Sequence, residues 1–180
     1  MGNGLELGVK GNSDSDSSYS TGIVLYSDAD FAGDKATRRS TSGALVLLGG
    51  RAVAWASKRQ PVVALSTTEA ELYAASLAGQ EAVWLRAFLG ELGHVQRGAT
   101  PFMLDNQGSI ELIKHPVLQS RAKHIEIKYF WLRDKVESGT FSPTYLQTDR
   151  MLADHLTKVT PRQAFENFAQ HRRASRQGEC

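Results

Sequence analysis

The chain has 180 residues, 41% of them hydrophobic, with a formal net charge of +2 and one cysteine, Cys180. One globular domain suits that length, since domains commonly run to about 100–200 residues, and the core is large enough to need no disulfide or metal staples. A lone cysteine excludes an internal disulfide framework and allows a reducing compartment; no apolar run approaches the ~18 residues of a membrane span, and the first twenty residues do not read as a secretory signal.

Residues 1–20 read as a flexible segment. Positions 11–19 are almost all Gly, Asn, Ser and Asp, a loop composition, and Leu5-Glu6-Leu7-Gly8-Val9 reads as a short strand or the trailing end of a preceding domain. The domain itself is expected over 21–170. Apolar, β-branched runs predict strands at Gly22–Tyr26, Gly43–Leu48 and Ala52–Ser57, the last two joined as a hairpin through Gly49-Gly50-Arg51. Ser66-Thr67-Thr68-Glu69 fits a capping box and opens a long helix that Gly93 stops.

A fourth strand follows at Pro101–Leu104, then a helix at Gln107–Lys114. A further helix spans Ala122–Glu137, with Ile125, Tyr129, Leu132 and Val136 on one face. Phe141–Leu146 is a fifth strand, and Pro143 marks it as an edge. Helices at Leu152–Lys158 and, after Pro161, at Arg162–Gln170 lead to a basic tail, 171–180. The order predicts a mixed α/β fold, with an antiparallel meander first and parallel strands added later.

Four acids fall at informative places. Asp28 is expected just past the first strand and Asp105 at the end of the fourth, and sites in open α/β sheets gather at such strand ends. Glu71 shares a helical stripe with Ala75, Ala78, Ala82, Leu85 and Leu89, so it faces the sheet, where a charge is costly unless paired. Glu69 instead shares a face with Tyr73, Ser76 and Gln80 and already caps the helix. Asp154 sits in the short amphipathic segment Met151–Leu156. Converging carboxylates repel, and a hard divalent cation such as magnesium, which prefers oxygen ligands, is the natural remedy. Two such ions about 3.5–4 Å apart can clamp the attacking and leaving oxygens of a phosphodiester. Each acid alone reads more readily as a cap, turn or surface residue than as a ligand; only the combined pattern points to metal-dependent phosphoryl chemistry. A haloacid-dehalogenase type of phosphatase, with Asp28 as nucleophile and Asp30 as acid, would need a second acidic pair that Asp105 lacks.

Basic residues cluster in the early turns (Arg38, Arg39, Lys58, Arg59) and near later helices (Lys114, Arg121, Lys123, Lys128), where phosphate contacts would give sequence-independent affinity. Trp55, Trp84 and Trp131 are expected in the core or partly buried.

Six segments, in order, resemble one family. They are Tyr26-Ser27-Asp28-Ala29-Asp30-Phe31-Ala32-Gly33-Asp34, Arg39-Ser40-Thr41-Ser42-Gly43, Ala64-Leu65-Ser66-Thr67-Thr68-Glu69-Ala70-Glu71, Leu104-Asp105-Asn106-Gln107, Ser120-Arg121-Ala122-Lys123-His124-Ile125-Glu126-Ile127 and Ala153-Asp154-His155-Leu156-Thr157-Lys158. The series is similar to the ribonuclease H domain of copia-type LTR retrotransposon Pol polyproteins, which follows the reverse transcriptase. That resemblance implies a ribonuclease-H-like fold with a five-stranded mixed sheet flanked by helices. It also implies hydrolysis of the RNA strand of RNA/DNA hybrids with two magnesium ions, manganese being a possible substitute. Asp28, Glu71, Asp105 and Asp154 would be the catalytic metal ligands, with Gln107 and Thr68 facing substrate. The partners implied are the hybrid and the polymerase domain of the same polyprotein, with no membrane, in cytoplasmic virus-like particles or the nucleus. The alternative is a retroelement fragment that binds nucleic acid or a partner without cutting. The loop Leu146-Gln147-Thr148-Asp149-Arg150 lacks the histidine usual in cellular ribonucleases H, which implies slow turnover.

Overall fold

A computed structural model describes residues 22–115 and 123–158. Strands β1 (Ile23–Asp30), β2 (Thr41–Leu48) and β3 (Arg51–Arg59) are followed by helix α1 (Thr67–Glu91), strand β4 (Thr100–Leu104), helices α2 (Gln107–Lys114) and α3 (Lys123–Glu137), and strand β5 (Phe141–Tyr145). Two short 3-10 turns, Thr148–Arg150 and Leu152–Leu156, close the described chain. The five strands form one sheet in the order β3-β2-β1-β4-β5; β1–β2 and β2–β3 are antiparallel, β1–β4 and β4–β5 parallel. This is the mixed sheet the sequence predicts.

The meander closes through Gly49 and Gly50, whose φ values of 56° and 72° are the left-handed pair that a tight hairpin with the natural strand twist requires. Ser66 caps α1 by accepting the Glu69 N–H, while the Glu69 carboxylate reaches one residue further back than a strict capping box and accepts the Leu65 N–H at 2.7 Å. Both devices satisfy backbone donors that a helix start would otherwise leave open.

One face of the sheet packs on α1 and α3. Ile23 and Leu25 of β1, Ala44 and Val46 of β2 and Phe102 and Leu104 of β4 meet Ala75, Ala78, Ala82, Leu85 and Leu89 of α1, with Leu132 and Phe141 beyond. The predicted helix stripe is thus buried along its length. Its alanines let the helix axis approach the sheet closely, and each fully buried leucine contributes about 1.5–3 kcal/mol. Gly79 extends that closeness to α3: a Cβ there would stand 3.0 Å from the Trp131 ring and 3.1 Å from Phe141. On the opposite face a smaller cluster joins Val24, Leu45, Leu47 and Met103 to Met151 and Ala153 of the last turn.

Four expectations are corrected. Strand β1 runs four residues past Tyr26, because its ladder with β2 continues to Asp30↔Thr41; Asp28 lies inside the strand, not beyond it. The segment 152–158 forms a 3-10 turn over Leu152–Leu156 rather than an α-helix, since its backbone bonds step back three residues, from Asp154 N–H to Met151 and Thr157 N–H to Asp154. Trp55 and Trp84 are 68% and 62% exposed, Trp55 on the sheet-edge strand β3 and Trp84 stacked on Phe88 on the outer side of α1. Trp131 alone is half-buried, edge-on to Phe141. The expected helix 162–170, and the segments 1–20 and 171–180, lie outside the described residues.

A candidate metal centre at the fork of the sheet

Parallel pairing between β1 and β4 covers Leu25↔Phe102 and Tyr26↔Met103. Beyond that the two strands part, while β1 stays paired with β2. Asp28 and Asp105 each stand two residues past the last parallel pair, on either side of the fork. The first turns of α1 cross the opening, so Glu71 reaches it from the helix stripe. One carboxylate oxygen from each of Asp28, Glu71 and Asp105 lies within 4.8 Å of the other two. Among the described residues these three acids form the cluster the sequence predicts from strand end, stripe and strand end.

The groups are held individually. Glu71 Oε1 accepts the Ala29 N–H of β1 at 3.1 Å. Asp28 Oδ2 accepts the Thr157 hydroxyl at 2.6 Å, and Asp105 Oδ2 accepts the Thr148 hydroxyl at 2.9 Å. The fourth predicted acid, Asp154, stands outside the trio on the neighbouring 3-10 turn. It is ion-paired with Lys158 at 2.6 Å and close enough to Asp28 to raise its pKa.

Asp28 is 3% exposed and Glu71 6%. Two unit charges no more than 4.8 Å apart repel by at least about 3 kcal/mol at an effective dielectric constant of about 20, and burial adds to that cost. The proton affinities follow. Burial, then the Asp28 and Asp105 charges, push Glu71 up to about 9. Burial also lifts Asp28 to about 6, against the opposing hydrogen bond from Thr157. Glu71 Oε2 is fully buried and has no hydrogen-bond partner. An orphaned buried carboxylate oxygen costs free energy unless something binds it. An all-oxygen donor set of converging carboxylates, one of them with a buried oxygen that has no hydrogen-bond partner, fits a hard divalent cation.

Of the two substrate-facing candidates, Gln107 is exposed at the first turn of α2 and Thr68 is half-buried in the first turn of α1. The two helix starts adjoin: a Cβ on Gly108 would lie 3.3 Å from the Thr68 hydroxyl oxygen. Thr148 and Thr157 escaped the sequence reading. Thr157 lay within a quoted motif, three residues after Asp154, but nothing local announced a partner 129 positions away.

A mixed sheet in this order, with acids at the fork, defines a ribonuclease-H-like protein. The fold matches LC11 ribonuclease H1 in complex with an RNA/DNA hybrid, with a TM-score of 0.55 over 79% of this chain and 99% of that one, at 13% identity. In sequence the chain is 44% identical over 141 residues to the retrovirus-related Pol polyprotein from transposon TNT 1-94 of Nicotiana tabacum, a stretch covering 78% of this chain. It is 42% identical over 147 residues, 82% of the chain, to that from transposon RE1 of Arabidopsis thaliana. Its homologues are thus retrovirus-related Pol polyproteins from copia-type transposons, and its fold is that of ribonuclease H domains. It spans about 10% of the length of these curated relatives. No protein-family model matches it.

Proposed function

We propose that the chain is a metal-dependent endonuclease that hydrolyses the RNA strand of RNA/DNA hybrids during retroelement reverse transcription. The observation that carries this reading is the trio Asp28, Glu71 and Asp105, with its buried, unpartnered Glu71 oxygen, at the fork of a ribonuclease-H-like sheet. Asp28, Glu71, Asp105 and Asp154 would hold two magnesium ions, and manganese, another oxygen-preferring cation, could replace them. Bound there, the metal supplies a Lewis acid for the phosphoryl oxygens and a water of lowered pKa as nucleophile.

The chain's own groups do the rest. Asp28 and Glu71 are both buried on the inner side of the centre, and Glu71 is tied to β1 by accepting the Ala29 N–H. Thr148 orients Asp105 from the loop that lacks a histidine. Thr68 and Gln107, on adjoining helix starts, offer short polar groups to the 2′-hydroxyls of a wide, shallow minor groove, the feature that separates an RNA strand from DNA. In the polyprotein the partner would be the polymerase domain that makes the hybrid, in cytoplasmic particles or the nucleus. Among the described residues no helix is long and apolar enough to cross a membrane.

The test is cleavage of a labelled RNA/DNA hybrid with magnesium, comparing the chain with Asp105→Asn. Cutting of the RNA strand by the former alone supports the reading. Equal activity in both overturns the site assignment. Calorimetric magnesium binding without any cutting would favour a binding fragment instead.

A further inference from the structure

The feature that the proposed chemistry leaves unexplained is Thr157. Its side chain is buried beside Asp28, and its hydroxyl lies 2.6 Å from Asp28 Oδ2 and 2.9 Å from the backbone carbonyl oxygen of Asp154. A hydroxyl has one proton to donate. The carboxylate, a charged acceptor at the shorter distance, takes it, and such charge-assisted bonds are about twice as strong as neutral ones. The Asp154 carbonyl stays within reach of the same oxygen. One side chain therefore touches both the first predicted ligand and the turn that carries the fourth.

The sheet is shaped to admit that contact. Gly43 of β2 sits opposite Asp28 in the ladder. A Cβ at Gly43 would stand 2.6 Å from the Ala153 carbonyl oxygen and 2.8 Å from the Thr157 methyl. Any side chain there would lift the turn away from the sheet. The absence of one lets the turn rest directly on β1 and β2, and Thr157 then reaches Asp28.

We infer that Thr157 is a positioning residue for the metal centre: its hydroxyl fixes the Asp28 carboxylate and, through it, the placement of the Asp154 turn. The inference rests on the nuclease reading above. Outer-shell groups that orient a ligand commonly change metal affinity or activity by about 10–100-fold when removed.

The test uses the full chain with two substitutions, Thr157→Val, which keeps the shape and removes the hydroxyl, and Thr157→Ser, which keeps the hydroxyl and removes the methyl. Thermal unfolding in chelator first measures folding without metal. Magnesium affinity is then measured by calorimetry, and hybrid cleavage is resolved into kcat and KM. Thr157→Val should weaken magnesium binding about tenfold or more and lower kcat with an unchanged KM for the hybrid, while Thr157→Ser should stay within about threefold of the parent. Unchanged magnesium binding in Thr157→Val overturns the inference alone. Equal losses in Val and Ser also overturn it, because packing of the methyl would then be the cause. A parent chain that binds no magnesium overturns the nuclease reading, and the inference with it.

Discussion

Glu71 offers the sharpest energetic consequence. Its proton is held more tightly in the folded chain, where it leaves near pH 9, than in an unfolded chain, where 4.5 is the ordinary value. The folded state therefore gains from this group at low pH and loses that gain as pH rises from 4.5 towards 9. Between about pH 5 and pH 8 the loss is about 1.4 kcal/mol per pH unit, or about 4 kcal/mol in all. Glu71→Gln keeps the shape and an oxygen for the Ala29 N–H but cannot ionise. In urea unfolding with chelator, the metal-free parent should lose about 4 kcal/mol more than the variant across that range, against a total stability of about 5–15 kcal/mol for an ordinary domain. Saturating magnesium should remove most of the difference, since a cation favours the ionised form. Parallel pH profiles for the two chains in chelator would refute the reasoning, because Glu71 would then be solvated or already paired.

Two further outcomes are expected. Gly43→Ala places a methyl against the Ala153 carbonyl and the Thr157 side chain; thermal unfolding should show a loss of about 1–3 kcal/mol, as for other overpacked sites, and a smaller stabilisation by magnesium than in the parent. Ser66→Ala removes the hydroxyl that accepts the Glu69 N–H, and should cost about 1 kcal/mol in urea unfolding while leaving magnesium affinity unchanged.

Much of the architecture was legible because its signals are local. Apolar runs bounded by Gly and polar turns located the strands, the Ser66 cap and Gly93 bracketed α1, and the period of the alanine stripe singled out Glu71 over Glu69 before any fold was known. What failed has physical causes. The end of β1 was misplaced because Ser27, Asp28 and Asp30 look like a turn, yet β2 supplies the hydrogen bonds that keep them extended. Trp55 and Trp84, expected in the core or partly buried, stand in water because of the edge position of β3 and the outer side of a long helix. The supporting threonines were invisible since a hydroxyl has no periodicity; only the folded chain brings Thr148 to Asp105 and Thr157 to Asp28.

Sequence separation gives the fork a kinetic meaning. Every contact that holds an acid in the trio spans a long loop: 42 positions from Ala29 to Glu71, 43 from Asp105 to Thr148 and 129 from Asp28 to Thr157. Each such closure must overcome chain entropy before it gains anything, so local hairpin and helix form ahead of it. The centre is thus among the last parts of the molecule to assemble. A chain cut after Tyr145 keeps all five strands and three of the four acids, but loses both threonine latches. It also loses Met151 and Ala153 from the smaller core cluster, so on the proposed reading a metal-competent centre reports that the last turn has docked on the sheet.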